Sequence, residues 1–243
     1  MPEEIGKTID HLIEIDEKHF GDLTVYRGKW ISSQFNGYEI YITTAWSGWG
    51  KVSSSRAATR LIQVSSEKSK IDLFIFTGVA GGLREDVNQW DLVLASQLIQ
   101  HDMDASPLFP KYVIPALNKK ILKADNKIIN WAFESINKFK IQKKLKKFSK
   151  VHLGLIATGD RFITSKNCIQ EVCKDFLDIY AVEMEGSAVA QVAIQEEIPW
   201  LVLRTISDGA NVSSSEDFNS FITNYNLYSW ELIEALLFNL NKF

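Results

Sequence analysis

A strand–helix–strand unit near the C-terminus constrains the fold of this chain more than any other stretch of the sequence. Residues 180–182 and 200–206 are short, mostly apolar segments, which predict buried β-strands. Between them, residues 187–197 carry apolar side chains at helical spacing. Two buried strands joined by a helix belong to an α/β sheet that has helices packed on its faces.

The rest of the chain continues this alternation. Strands are predicted at 23–31, 38–46, 71–76, 91–100, 151–157, 180–182 and 200–206, and helices at 52–63, 121–141, 187–197 and 218–240. Asn36-Gly37 predicts a hairpin turn between the first two strands. We therefore expect a three-layer α/β/α fold, in which a central, largely parallel mixed sheet is flanked by helices. With 243 residues, no internal repeat and no linker, a single domain over 1–243 is expected.

Composition and charge argue against several classes of protein. A net charge of −3 gives no case for a nucleic-acid partner, and no apolar run approaches the roughly 20 residues of a membrane span. The acidic N-terminus has no basic region followed by an apolar run, so no signal peptide is predicted. Cys168 and Cys173 lie five apart in one predicted helix, on different faces, so neither a disulfide nor a zinc pair is expected. A cytoplasmic protein with free thiols is the resulting expectation.

The lysine-rich segment 138–150 has two possible interpretations. Its lysines would suit a nucleic-acid patch, but Ile141, Leu145 and Phe148 fall between them at helical spacing. This pattern favours the solvated outer face of a helix.

Acidic residues stand where the strands of the C-terminal unit end. Glu183 and Glu185 follow the strand at 180–182, and Asp208 follows the strand that contains Arg204. A carboxylate beside an apolar strand is costly to bury unless it has a partner or a chemical role. Acids favoured by a helix N-terminus and a turn-forming aspartate would explain each position separately. Three acids and one arginine in a single unit favour a ligand site at this edge of the sheet.

Six segments of the chain carry further recognisable motifs, in order. They are S-G-W-G-K-V at 47–52, T-G-V-A-G-G at 77–82, H-D-M-D at 101–104, G-D-R-F-I at 159–163, V-E-M-E-G at 182–186 and R-T-I-S-D at 204–208. Together they resemble the 5'-methylthioadenosine/S-adenosylhomocysteine nucleosidases of the purine nucleoside phosphorylase superfamily. The resemblance implies a hydrolase that releases adenine from a small purine nucleoside, as a homodimer and without a cofactor or metal.

Hydrolysis of an N-ribosidic bond needs an acid at the base, a carboxylate that polarises water, and groups that hold the ribose hydroxyls. Asp208 suits the acid, because partial desolvation beside an apolar strand favours a protonated carboxyl. Glu185 suits the ribose clamp, because one carboxylate accepts hydrogen bonds from two hydroxyls. By resemblance, Asp208 would protonate purine N7 and Glu4 would be the general base.

The resemblance also implies the remaining contacts with substrate. Met184 would pack on the sugar, and Arg204 would steady the acids around it. Phe162 would stack on adenine, the backbone of Ile163 would read the purine edge, and Gly81 would allow close backbone approach. The other implied substrate-binding residues are Met1, Trp49, Val79, Ala80, Glu183, Ser207 and Phe218.

The chain departs from the family pattern at three places. The family has a β-strand just before its M-x-E-E segment, whereas this chain begins at Met1, so we expect that strand and its mount for Glu4 to be missing. Val79 stands where the family has a serine, and Trp49 stands where it has a smaller aliphatic residue near the 5' substituent. These changes bear on substrate choice more than on reaction type.

Two alternative functions stay open at this stage. A phosphorylase would use phosphate in place of water and would need converging arginines. Arg204 is the arginine most strongly linked to a motif, whereas Arg56, Arg84 and Arg161 have no assigned place. A non-catalytic nucleoside-binding protein is the third possibility. A nucleotide-phosphate loop is not predicted at 78–82, since the required lysine and glycine spacing are absent, and 101–104 is assigned to structure or a dimer contact rather than to metal.

Overall fold

The computed structural model describes residues 7–32, 39–163, 166–176, 178–209 and 214–240, without the side chains of 166 and 214–220. The strands in these ranges are β1 (Ile13–Phe20), β2 (Leu23–Ile31), β3 (Glu39–Ala45), β4 (Phe74–Gly82), β5 (Leu92–Gln100), β6 (Leu122–Lys123), β7 (Val151–Thr158), β8 (Ile179–Glu183) and β9 (Trp200–Asp208). The helices are α1 (Gly50–Ser66), α2 (Asn126–Ile141), α3 (Lys166–Cys173), α4 (Gly186–Gln195) and α5 (Ser214–Leu237).

The larger sheet has the strand order β6-β5-β7-β8-β4-β9. Its three long pairings, β4 with β9, β5 with β7 and β7 with β8, are parallel. Its shorter pairings, β4 with β8, β5 with β6 and β5 with β9, are antiparallel. Since β9 pairs with both β4 and β5, five of the strands form a closed circuit. The predicted α/β fold with a mixed central sheet and flanking helices is confirmed.

The strands of this sheet are buried on both faces because helices cover them. Every residue of β9 is buried, and the first four residues of β5 are fully enclosed. This explains why β5 and β9 each begin with a run of four apolar residues rather than with an alternating pattern. The buried small side chains of α4, such as Ala190 and Ala193, let this helix lie close against the sheet.

A separate antiparallel sheet is formed by β1, β2 and β3, in that order. The predicted strands at 23–31 and 38–46 correspond to β2 and β3, whereas the predicted turn at Asn36-Gly37 lies outside the described residues. Strand β1 was not predicted, because its charged, mostly exposed residues give no apolar alternation. Residues 1–6, including Met1 and Glu4, also lie outside the described part of the chain.

Several predicted boundaries were wrong for local reasons. The helix predicted at 121–141 begins only at Asn126, where Asp125 caps it by accepting the Lys127 N–H at 2.7 Å. The preceding Leu122–Lys123 is strand β6. Strand β4 begins at Phe74 and continues through Gly82, so the glycine-rich segment is a strand rather than a turn.

The predicted helical face at 138–150 was also wrong beyond Ile141, where α2 ends. Ile141 is exposed, whereas Leu145 and Phe148 are buried in irregular chain. The Phe148 ring packs edge-on against Trp90, with 5.7 Å between ring centroids. Apolar spacing therefore indicated burial correctly for Leu145 and Phe148, but not for Ile141, and it did not predict the irregular backbone. No helix among the described residues is long and apolar enough to cross a bilayer.

Candidate functional site

A cavity of about 1050 Å³ opens at the carboxyl ends of β4, β8 and β9. It is lined by every predicted site residue whose side chain the structure describes: Trp49, Val79, Ala80, Gly81, Phe162, Ile163, Glu183, Met184, Glu185, Arg204, Ser207 and Asp208. Phe218 belongs to α5, but its side chain is outside the described part of the structure, as are Met1 and Glu4. Glu183 and Asp208, the last residues of β8 and β9, lie at the carboxyl ends of strands, which is where α/β sheets bind ligands.

Arg204 is a buried cation at the centre of the site, with 1% of its surface exposed. One guanidinium nitrogen, Nη2, donates to Glu183 and, at 3.4 Å, to Oε2 of Glu185. The other, Nη1, donates to the Thr77 carbonyl at 3.1 Å, and the guanidinium lies over the Phe76 ring at 4.3 Å. Its charge is therefore compensated entirely from neighbouring strands and from the start of α4.

Glu183 ends β8, and both of its carboxylate oxygens accept hydrogen bonds from the protein. Oε2 accepts the N–H groups of Glu185 at 3.0 Å and Gly186 at 2.7 Å in addition to Arg204. Oε1 accepts the Thr158 hydroxyl. Glu183 lines the cavity, but because both of its carboxylate oxygens bond to the protein, its role is to stabilise the arrangement of the site.

The carboxylate of Glu185 faces the cavity and is held at both oxygens. Oε1 accepts the Gly50 N–H at 2.8 Å, and Oε2 accepts from Arg204. Gly50 has a φ of +83°, in the region that favours glycine, so the first residue of α1 can present its N–H in this direction. A carboxylate oxygen can accept more than one hydrogen bond, so these contacts are compatible with bonds to ligand hydroxyls.

Asp208 is placed by an irregularity in the β4–β9 pairing. Ala80 pairs with Ile206, but Gly81 pairs with Asp208, so Ser207 is the extra residue of a β-bulge. The Ser207 hydroxyl donates to Oδ2 of Asp208 at 2.6 Å and also lies 3.3 Å from the Ala80 carbonyl. The bulge directs Ser207 and Asp208, at the end of β9, toward the cavity.

The bulge is anchored by a residue that sequence reasoning missed. Gln89 donates from its side-chain amide to the Ser207 carbonyl at 2.7 Å. Gln89 lies in the loop before β5 and outside every recognisable motif, so no sequence signal pointed to it. The contact ties the acid-bearing end of β9 to the neighbouring loop.

Two aromatic rings form the outer wall of the cavity. The Trp49 and Phe162 rings are nearly parallel, 17° apart, with 6.5 Å between centroids. They remain 51% and 39% exposed, whereas the neighbouring Ile163 is buried. Flat apolar surfaces of this kind suit a planar aromatic ligand.

The 101–104 motif fastens the Phe162 loop to the start of α1. Lys51 donates from Nζ to Asp102 at 2.7 Å and from its backbone N–H to Asp160 at 2.7 Å. Burial opposes ionisation of Asp102, but hydrogen bonds from Lys51 and the Asp160 N–H hold its pKa below the usual range. Burial lowers the pKa of His101 and so favours its neutral form. No cluster of potential metal ligands occurs within the described ranges.

Gly159 is expected to tolerate no side chain. A Cβ at this position would lie 2.2 Å from Nε2 of His101, and the Gly159 N–H donates to the Glu183 carbonyl. We predict that Gly159→Ala lowers the free energy of unfolding by about 1–3 kcal/mol, the usual cost of overpacking. Urea denaturation measures this loss. Combining it with His101→Ala is expected to recover most of the loss, and a purely additive double variant would refute the steric explanation.

Comparison with known proteins shows the family to which the chain belongs. A family model described as the phosphorylase superfamily matches residues 1–237. A 5'-methylthioadenosine/S-adenosylhomocysteine nucleosidase from Shewanella pealeana is 33% identical over 229 residues, covering 94% of each chain. The nucleosidase of the same name from Bacillus subtilis is 33% identical over 212 residues, covering 86% of this chain and 85% of the relative.

Solved structures show the same likeness. The nucleosidase from Neisseria meningitidis, in complex with methylthio-immucillin-A, has a TM-score of 0.84 at 26% identity, covering 98% of this chain and 95% of that one. The futalosine hydrolase of Helicobacter pylori has a TM-score of 0.82 at 29% identity, covering 99% and 95%.

Proposed function

The chain belongs to the phosphorylase superfamily and, within it, to the 5'-methylthioadenosine/S-adenosylhomocysteine nucleosidase family, and we propose that it hydrolyses the N-ribosidic bond of such nucleosides to release adenine. The observation that carries this proposal is the placement of Asp208 and Glu185 in one cavity, beside a charge-compensated Arg204. Two carboxyl groups in different environments are what this reaction requires.

Asp208 is the proposed acid. As the bond to C1' breaks, negative charge moves onto the purine, and a protonated carboxyl neutralises it by giving up its proton. The Ser207 hydroxyl fixes the orientation of Asp208 through the 2.6 Å hydrogen bond. Because Oδ2 accepts this hydrogen bond, we place the proton for the purine on the other carboxyl oxygen, Oδ1.

Glu185 is the proposed ribose clamp. Gly50 and Arg204 hold its carboxylate at the cavity wall, where it can accept hydrogen bonds from the adjacent 2'- and 3'-hydroxyls of ribose. Its negative charge also lies where an oxocarbenium-like sugar develops positive charge. Water would attack C1' on the face of the sugar opposite the departing purine. Glu4, assigned by resemblance, is the proposed base.

The arginines favour hydrolysis over phosphorolysis. Among the described cavity residues, Arg204 is neutralised by two glutamates, Arg161 pairs with Glu171 at 2.7 Å, and Arg27 lies 4.6 Å from the Tyr41 ring. Two other candidates pair with surface acids away from the cavity: Arg56 with Asp22, and Arg84 with Asp86 and Asp178. The described residues therefore offer no convergent group of arginines for a phosphate anion.

A phosphate-dependence assay tests this proposal. Purified protein is given 5'-methylthioadenosine, S-adenosylhomocysteine or an aminofutalosine-type nucleoside, with and without phosphate, and adenine is measured. Release at the same rate without phosphate supports hydrolysis. Strict dependence on phosphate would instead identify a phosphorylase, and binding without turnover would identify a nucleoside-binding protein.

We also propose a single-domain subunit of a cytoplasmic homodimer. Cys168 and Cys173 form no disulfide, which suits a reducing compartment. The homodimer is inferred from the family resemblance, and the apolar side chains of Val52 and Leu108, 82% and 87% exposed, are candidates for its interface. Analytical ultracentrifugation measures the mass in solution, and a monomer at micromolar concentration would contradict the dimer.

Replacing Glu185 with glutamine is expected to lower kcat/KM more for substrates that carry a 2'-hydroxyl than for 2'-deoxy analogues. A hydrogen bond to a charged group is worth about 1.5–3 kcal/mol, and the deoxy sugar makes one fewer. The ratio of kcat/KM values for adenosine and 2'-deoxyadenosine measures the difference. Glu196→Gln, an exposed site at the other end of α4, is the matched control. Equal losses on both substrates would remove Glu185 from the clamp.

A further inference from the structure

Helix α4 begins without a cap from its own first side chain. Glu185 is its N-cap residue, but the Glu185 side chain makes no capping hydrogen bond. The first N–H groups of a helix nevertheless need acceptors. Neighbouring strands supply them: Glu183 accepts the N–H groups of Glu185 and Gly186, and Oγ1 of Thr158 accepts the Ser187 N–H at 2.9 Å.

Thr158 couples the two acceptors. It is the last residue of β7, is fully buried, and pairs in register with Glu183 on the parallel strand β8. Its hydroxyl donates its single proton to Oε1 of Glu183, which leaves the oxygen free to accept from Ser187. Thr158 does not line the cavity, so any effect it has on a ligand passes through other residues.

Because residues outside the helix cap α4, the Glu185 carboxylate is not used as the helix cap. In an ordinary N-cap the side chain turns back onto the helix N–H groups. Here those groups are already satisfied, and Glu185 instead accepts from Gly50 and Arg204 at the cavity wall. We propose that Thr158 is a positioning residue, which fixes the ribose-binding carboxylate of Glu185 by capping α4 together with Glu183. This inference rests on the ribose-clamp role in the proposed function.

The test replaces Thr158 with valine, which keeps the shape and removes both hydrogen bonds. Calorimetry measures binding of an adenosine C-nucleoside, whose carbon–carbon glycosidic bond resists hydrolysis, and of its 2'-deoxy form. The preference for the 2'-hydroxyl is the ratio of the affinities for these two analogues. We expect this ratio to fall about 10-fold in Thr158→Val, which corresponds to the loss of one hydrogen bond to a charged group. Thr158→Ser, which keeps the hydroxyl, is expected to retain the preference.

Two comparisons separate positioning from general damage. Thr205→Val is the matched control, since Thr205 is also a fully buried strand residue and its Oγ1 has no hydrogen-bond partner within the described residues. It is expected to leave the preference unchanged. In a Glu185→Gln background, Thr158→Val is expected to cause no further fall, because the group that it positions is already altered.

An unchanged preference in Thr158→Val, or a full additional fall in the double variant, overturns the inference. Should the valine variant not fold, Thr158→Ala makes the same comparison with less bulk. A wild-type protein that binds the analogues but releases no adenine refutes the proposed catalysis, while the binding ratios still decide the role of Thr158. A wild-type protein that binds neither analogue refutes both.

Discussion

Replacing Asp208 with asparagine is expected to reduce the rate of adenine release by about 10²–10⁴-fold, the usual contribution of a general acid. The amide keeps the shape of the carboxyl and still accepts from Ser207, but it has no proton to transfer to the departing purine. Nucleoside binding should therefore remain largely intact. Single-turnover kinetics measure the chemical step, and calorimetry with a non-hydrolysable analogue measures binding.

The matched control for this prediction is Asp16→Asn, on the exposed strand β1. It makes the same chemical change far from the cavity and is expected to leave turnover unaltered. If Asp208→Asn turns over within a few-fold of wild type, Asp208 is not the acid.

Replacing Arg204 with methionine is expected to lower the free energy of unfolding by about 3–5 kcal/mol. The methionine side chain fills much of the space, but it leaves the buried carboxylate of Glu183 without its cation. An uncompensated buried charge costs far more than the loss of an exposed ion pair. Urea denaturation followed by far-UV circular dichroism measures the change.

A second variant separates charge from packing at this site. Arg204→Met combined with Glu183→Gln removes both charges and is expected to be more stable than Arg204→Met alone. As an exposed comparison, Arg56→Met breaks the surface pair with Asp22 and a hydrogen bond to the Phe20 carbonyl, and should cost about 0–1 kcal/mol. If Arg204→Met and Arg56→Met lower the free energy of unfolding by similar amounts, the buried pair does not stabilise the fold more than a surface pair does.

The strands that build the site were predictable because burial on both faces leaves a strong signal. β5, β7, β8 and β9 are mostly apolar segments, and their identification required no knowledge of which strands pair. Strand β1 gave no such signal, since its stability comes from pairing with β2 and its side chains face solvent. The irregular chain after Ile141 was misread because buried residues can have helical spacing without a helix.

The acids of the site could be recognised from their position at strand ends, but their hydrogen bonds could not. The hold on Glu185 depends on the backbone N–H of Gly50, which lies far away in the sequence. The orientation of Asp208 depends on a bulge, which is a property of register between two strands. Thr158 and Gln89 act through contacts that exist only once the strands have paired. Sequence pattern identifies groups that carry chemistry and misses the residues that orient them.

The central claim is that this cavity breaks an N-ribosidic bond with water as the nucleophile. The most direct measurement is to incubate the protein with 5'-methylthioadenosine in phosphate-free buffer and to identify both products by chromatography and mass spectrometry. We predict adenine and free 5-methylthioribose in equal amounts, with the same yield when phosphate is added. Formation of the sugar 1-phosphate, with no turnover when phosphate is absent, would contradict the claim.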